Sequence, residues 1–174
     1  MPDPAEIAVI SSVLPAVTTF LLSRVERLLG PRGAEPEDEV TVPDGLVGTI
    51  GVPLHPDEHQ LALHRTELEL LRDGLAAYAR GDIPVSTADQ ALLRNLARLR
   101  AALENIYSQY LTFAGEARPA SGPYVRQNLT TVSGQAIGMD ADEITGNSRV
   151  VQDAQSVAPG ATLTGMKARR IGPQ

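Results

Sequence analysis

The end of the chain repeats itself, and this repeat restricts the possible folds more than any other feature of the sequence. Residues 125–146, here called copy one, read VRQNLTTVSGQAIGMDADEITG. Residues 150–172, here called copy two, read VVQDAQSVAPGATLTGMKARRIG. Repeats of roughly this length are typical of stacked supersecondary units. The aligned positions are Val125/Val150, Gln127/Gln152, Val132/Val157, Gly134/Gly160, Ile137/Leu163, Gly138/Gly165, Met139/Met166 and Ile144/Ile171.

Both copies have the composition of short strands. Their apolar residues are β-branched or small, lie between glycines and show no helical period. One two-strand copy cannot bury an apolar face alone, so we predict that the second copy stacks on the first, with matching positions above one another. The positions expected to carry assembly or interaction are Gln127, Val132, Ile137, Asp140, Asp142, Glu143, Ile144, Gln152, Val157, Leu163, Lys167, Arg169, Arg170 and Ile171.

The charges of the two copies are opposite. The acidic residues Asp140, Asp142 and Glu143 of copy one align with the basic residues Lys167, Arg169 and Arg170 of copy two. Opposite charges on adjacent exposed strands attract by roughly 0.2 to 1 kcal/mol per pair. These opposite charges favour stacking of copy one on copy two within one molecule. They equally favour stacking of copy two of one molecule on copy one of the next. The aligned glutamines are predicted to add an amide ladder.

Three arrangements of this tail are compatible with the repeat. In the first, four short strands form a closed sheet that packs against the rest of the chain. In the second, the module extends between molecules, as a β-solenoid filament or by adding a strand to a partner. In the third, the tail is unstructured.

The beginning of the chain predicts a mostly apolar helix over residues 5–29, with apolar residues three and four apart. Its uncharged run, residues 7–23, is shorter than the roughly 20 residues of a membrane span, and Pro15 interrupts it. We therefore favour a buried core helix. If this helix instead contacts a membrane or a partner protein, the contact residues are Ile7, Ile10, Leu14, Val17, Phe20 and Leu21.

The middle of the chain predicts two further helices and a little strand. Residues 40–42 and 45–52 are predicted to form a β-hairpin around Pro43 and Asp44. A second helix opens at residues 56–58, and a third follows a capping box of Thr87 and Gln90. Residues 110–113 are a further possible strand, and 117–123 have the composition of a flexible connection.

These elements predict an α+β fold. A mainly helical domain, 1–116, has about three helices and a short β-hairpin. A linker, 117–123, joins it to the duplicated β repeat, 124–174.

Composition narrows the possible functions. A formal net charge of -6 argues against nucleic-acid binding through phosphate neutralisation. The chain has no cysteine, which removes disulfides, thiolate catalysis and cysteine metal sites. The opening residues MPDPAEI are acidic where a secretory signal is basic, so we expect a cytoplasmic protein.

No catalytic motif emerges from the sequence. His55 and His59 lie four apart, but HPDEH is not the HExxH motif of a zinc protease. The acidic cluster at residues 140–143 lacks the glycine and distal glutamate of an EF-hand. Nothing matches a nucleophile turn either. We predict no enzyme activity, no cofactor and no metal site.

The layout of a helical domain followed by a charge-complementary β repeat resembles the HeLo-like amyloid-signalling proteins of fungi and bacteria. The residues that carry the resemblance are Gln127, Gly134, Gly138, Gly146, Gln152, Gly160 and Gly165. The resemblance implies a tail that stacks as β-solenoid rungs and transmits an aggregation signal, and an N-terminal helix that acts on membranes. The hairpin predicted over residues 40–52 is not expected in such a helical domain.

The sequence thus predicts a non-enzymatic interaction or signalling protein. Its duplicated β module would mediate self-assembly or recruitment, within a defence or cell-death pathway if the resemblance holds. Its partners would be itself or another protein, so we expect a homo-oligomer or a complex subunit. The alternative is a structural or adaptor subunit of a larger complex, with the repeat as a fixed internal sheet.

Overall fold

The fold is α+β, with the helices before the strands, as the sequence predicts. A computed structural model describes residues 11–144 and 148–171. The chain divides into two compact units, Met1–Ser121 and Gly122–Gln174. The boundary between them falls inside the segment predicted as a linker. The described elements are α1 (Leu14–Leu29), α2 (Glu58–Ala79), α3 (Gln90–Tyr107), β1 (Gln109–Tyr110), β2 (Gly122–Val132), β3 (Gln135–Ile144), β4 (Arg149–Val157) and β5 (Thr162–Ile171).

The first unit is built on a leucine-rich core between the three helices. Helix α1 begins at Leu14, with Pro15 in its first turn, where proline needs no backbone N–H. It is therefore shorter than the helix predicted from residue 5, of which residues 5–10 lie outside the described part. The largest fully buried side chains are Leu14, Val17, Leu21, Leu28, Leu68, Leu75, Leu92, Leu96, Leu99, Leu103, Ile106 and Phe113.

Aspartates begin α2 and α3. The side chain of Asp57 accepts a hydrogen bond of 2.9 Å from the N–H of Gln60, so the predicted start of α2 is confirmed. At α3 the predicted capping box is wrong, because Asp89 and not Thr87 is the cap. Its Oδ1 accepts from two backbone N–H groups, and the hydroxyl of Tyr78 donates to its Oδ2 at 2.5 Å. That hydroxyl is the main cause that lowers the pKa of Asp89.

The hairpin predicted between residues 40–42 and 45–52 does not form, although both stretches are described. The N–H of Val47 donates to the carbonyl of Thr112 at 2.9 Å, and its carbonyl accepts from the N–H of Ser121 at 2.7 Å. The backbone groups of this segment are thus paired with chain that comes about 65 to 75 residues later. Of the predicted strand 110–113, only β1 and a single bridge from Leu46 to Phe113 are present.

Buried ion pairs fix the segment after α3. Arg100 pairs with Glu116, and their side chains are only 5% and 1% exposed. The other oxygen of Glu116 accepts from the N–H of Phe113 at 2.9 Å. Burial lowers the pKa of the Arg100 guanidinium, an effect that the Glu116 carboxylate opposes.

A second pair, Arg118 with Glu104 at 2.9 Å, lies in the stretch predicted to be a flexible connection. Residues 117–121 are therefore bound to the first unit, and Ser121 is fully buried. The composition of this stretch suggested flexibility, but its one arginine and its last serine both have buried partners.

The second unit consists of two pairs of parallel strands. Strand β2 pairs with β4, and β3 pairs with β5. Each strand has nine to eleven residues, longer than the short strands expected. Since copy one contains β2 and β3 and copy two contains β4 and β5, the backbone ladders run between the copies.

We predict that Glu116→Gln destabilises the first unit by about 3 to 5 kcal/mol, because it leaves the buried Arg100 guanidinium without a counter-charge. Urea unfolding followed by the helical circular dichroism signal would measure this change. Glu35→Gln is the control, since Glu35 pairs with Arg32 at a site where both side chains are mostly exposed. Its effect should stay within about 0.5 kcal/mol. Equal effects of the two variants would contradict the prediction.

Candidate assembly surface

The two copies of the repeat lie on one another in register. Val125 lies opposite Val150, Gln127 opposite Gln152, and Val132 opposite Val157. In the second pair of strands, Met139 lies opposite Met166 and Ile144 opposite Ile171. The predicted stacking of matching positions is confirmed at these residues. Within a copy, the two strands contact one another through side chains, since their backbone hydrogen bonds go to the other copy.

One predicted pair within the strands is wrong. Ile137 lies opposite Thr164, and Leu163 lies opposite Ala136. Copy two has two more residues than copy one between matching positions. The alignment placed one of them before Gly160 and the other between Leu163 and Gly165, whereas in the structure both lie in the turn 158–161. The offset is therefore 25 residues throughout β2 and β4, and 27 throughout β3 and β5. Gly160, with φ of 82°, supplies the left-handed conformation that the longer turn requires.

A pair of glutamines crosses the inside of the stack. The side-chain amide of Gln152 lies 2.8 Å from the Oε1 of Gln127 and 3.0 Å from the backbone nitrogen of Gly138. The Nε2 of Gln127 in turn donates to the carbonyl of Ile137 on the facing strand, at 3.1 Å. The predicted amide ladder is present, and it connects the copies to one another and β2 to β3. Both side chains are half-buried, where a satisfied amide stabilises one register over others.

The opposite charges meet as predicted. The Nζ of Lys167 lies 3.7 Å from the Oδ2 of Asp140, and the Nε of Arg169 lies 3.4 Å from the Oδ1 of Asp142. Glu143 and Arg170 are opposite one another in the backbone register. The side chains of Glu143, Ile144 and Ile171 lie outside the described part of the structure.

These ion pairs are exposed and therefore weak. All four side chains are more than half exposed, and pairs of this kind contribute about 0 to 1 kcal/mol each. Their greater effect is on selectivity, because stacking copy one on another copy one, or copy two on another copy two, would bring like charges together. The result is a stack with an acidic row on one copy and a basic row on the other.

Gly138, which the alignment pairs with Gly165, is not among the positions predicted to carry assembly, yet it belongs to this surface. A Cβ atom there would collide with the Cγ1 of Val150 and come within 2.5 Å of the carbonyl oxygen of Gly165. Copy two thus lies so close to Gly138 that a side chain has no room. The signal was present in the sequence, since a glycine occurs at the equivalent place in both copies, but it could not show which of them needs the space.

The apolar positions differ in exposure between the copies. Val132 of copy one is 5% exposed, whereas its partner Val157 is 47% exposed. Leu163, also in copy two, is 38% exposed, and Ile137 of copy one is half-buried. Copy two therefore carries more uncovered apolar surface than copy one.

The helix residues predicted as contacts with a membrane or a partner lie in the core of the first unit. Leu14, Val17, Phe20 and Leu21 are at most 5% exposed. They reach another molecule only if α1 leaves that core. Ile7 and Ile10 lie outside the described residues. Within the described chain, each helix is too short or too polar to cross a membrane.

The first unit also contains an open groove of about 590 Å³ beside α1. Arg24, the charged residue among those described in its lining, pairs with Glu37 at 2.6 Å. The side chains of the described lining residues offer hydroxyl groups but no carboxylate or imidazole. Its residues are Pro15, Ala16, Thr19, Phe20, Ser23, Arg24, Thr41, Val42 and Pro43.

The histidines are dispersed. His55 and His59 are exposed, and the Nδ1 of His64 lies 3.3 Å from the Oε2 of Glu67. Residues 11–144 and 148–171 contain no group of three or more histidine, aspartate or glutamate side chains placed to hold a metal ion.

Comparison with protein-family models, with curated proteins and with solved structures finds no match to this chain. The surface formed by the two copies is therefore interpreted from its own geometry.

We predict that Gly138→Ala loosens the stack, because the added methyl group forces copy two away from copy one, at a cost of about 1 to 3 kcal/mol. Hydrogen-exchange mass spectrometry of the full chain would show faster exchange in residues 149–157 and 162–171. Gly134→Ala is the control, since a Cβ at Gly134 meets nothing within 4 Å. Unchanged protection in Gly138→Ala would contradict the close contact.

Proposed function

We propose that the protein is a non-enzymatic assembly module, in which residues 122–171 of different molecules stack head to tail. One observation carries the proposal. The chain already contains a parallel, in-register stack of two similar copies, with an acidic row on one and a basic row on the other.

The geometry supports extension beyond one molecule. Within the described strands, β5 pairs only with β3, and β4 pairs on one edge only, with β2. The outer edges of β4 and β5 therefore carry backbone groups that another strand could bind. If the stacking contact between copy one and copy two is repeated from one molecule to the next, each contact joins two different surfaces. Such a series of contacts does not close into a ring. Such a contact builds a filament with the strands across its axis.

The charges support one direction of stacking. Copy two of one molecule and copy one of the next would repeat the pairs already seen, such as Lys167 with Asp140. Two copy-two surfaces would instead place three basic residues against three basic residues. Because the pairs are exposed, the preference should weaken as salt rises and the Debye length falls to about 3 Å near 1 M.

The helical unit would be the part that such an assembly concentrates. We propose that it is the effector or docking unit of a signalling protein, as the resemblance to HeLo-like proteins suggests. Since Leu14, Val17, Phe20 and Leu21 belong to its core, any action through α1 would require that core to open.

A second candidate function is a structural or adaptor subunit with a fixed sheet. It is favoured by the fact that each copy already finds a complete partner within its own chain. On this proposal the full chain stays monomeric at neutral pH, whatever its concentration.

Complementary charge variants test the assembly. A basic variant carries Asp140→Lys, Asp142→Lys and Glu143→Lys, and an acidic variant carries Lys167→Glu, Arg169→Glu and Arg170→Glu. Each alone should assemble at a critical concentration roughly tenfold or more above that of the natural chain, because like charges then meet at every contact. An equimolar mixture should co-assemble, since basic and acidic molecules attract one another.

Sedimentation, negative-stain electron microscopy and a fibre reflection near about 4.7 Å would report assembly of the full chain. The control variant combines all six substitutions, which restores opposite charges with their places exchanged, and it should assemble like the natural chain. A natural chain that stays monomeric would contradict assembly and favour the adaptor. If all three variants formed filaments at the critical concentration of the natural chain, the electrostatic part of the proposal would be wrong.

A further inference from the structure

Two equivalent glycines of the repeat have different surroundings. At Gly138 of copy one, copy two leaves no room for a Cβ atom. At Gly165 of copy two, the nearest atom to such a Cβ is the Oε1 of Gln152, at 3.9 Å, which is ordinary van der Waals contact. The molecule by itself thus needs glycine at the first position but has space for a side chain at the second.

The backbone does not require glycine at Gly165 either. It lies inside β5, and it is not among the glycines with positive φ. Glycine within a strand reduces its stability and often marks a place where another backbone approaches closely. Among the residues that the structure describes, no backbone atom of the same molecule lies within 4 Å of the position that a Cβ on Gly165 would take.

We propose that the outer edge of β4 and β5 is the binding site for copy one of a second molecule, and that Gly165 determines which segments can bind. This inference rests on the proposed assembly and adds to it the residue of the binding edge, Gly165, that determines which segments can bind. A copy placed on β4 and β5 as copy two lies on copy one would bring its own backbone against Gly165.

The chemistry of the edge selects the occupant. An incoming strand meets Lys167, Arg169 and Arg170 along β5, so it must carry acidic groups at the matching positions. Opposite Gln152 it needs a side chain that can continue the amide pair seen with Gln127. The segment 125–144 of a second copy of this chain provides both, with Gln127 and the acidic group of residues 140–143 at the required spacing.

Exposed apolar groups on the same copy support this assignment. Val157 and Leu163 are 47% and 38% exposed, and the second copy would place Val132 and Ala136 opposite them. If a second molecule stacks in the same register as copy two on copy one, it removes this apolar surface from water.

The test is Gly165→Ala in the full chain. The single molecule should be unaffected, with hydrogen exchange of residues 149–157 and 162–171 like that of the natural chain. Its critical concentration for assembly should rise roughly tenfold to a hundredfold, because the methyl group obstructs each new contact. Gly134→Ala, in the open turn of copy one, is the matched control and should assemble normally.

A mixing experiment gives a second readout. Gly165→Ala molecules keep an intact copy one, so they can add to a natural filament end, but they then present an obstructed edge. Added in small proportion, they should shorten natural filaments in electron micrographs, and Gly134→Ala should not. Assembly of Gly165→Ala at the natural concentration would overturn the site while leaving the proposed function standing. A natural chain that never assembles would overturn both.

Discussion

The backbone ladders between the two copies are the interaction on which the rest of the second unit depends. In the described part of each copy the two strands share no backbone ladder, so neither copy satisfies its peptide groups without the other. This arrangement places each residue above its counterpart in the repeat. The glutamine pair, the ion pairs and the close approach at Gly138 all follow from that one register.

Weak interactions decide the order of the copies once the ladder exists. Backbone hydrogen bonds are indifferent to sequence, so they would stabilise copy one on copy one as well as copy one on copy two. The exposed ion pairs contribute little to stability, yet reversing them turns each attraction into a repulsion. The energy difference between correct and incorrect stacking is therefore larger than the stabilisation that any one pair supplies. This is how a chain with small charge effects can specify one direction.

The sequence predicted the contacts that depend on like positions, and missed those that depend on distant chain. Gln127 with Gln152 and Asp140 with Lys167 follow from the alignment alone, because parallel stacking places equivalents together. Ile137 was misplaced since the alignment could not tell a longer turn from an insertion within a strand. The predicted hairpin failed for another reason: Val47 pairs with Thr112 and Ser121, which no local pattern indicates. The burial of Glu116 beside Arg100 was equally invisible to composition.

The charged row of β5 has a double effect on a strand edge. Lysine and arginine at an exposed edge usually prevent strands from other molecules from pairing there. Here the same residues repel a second basic row but attract the acidic row of copy one, so the protection is selective. On the proposed assembly Gly165 would add a steric condition, since only glycine leaves room for a backbone at the distance seen at Gly138. On the proposed assembly, an edge with both features would be closed to most strands and open to one segment, which is what regulated assembly of a single protein requires.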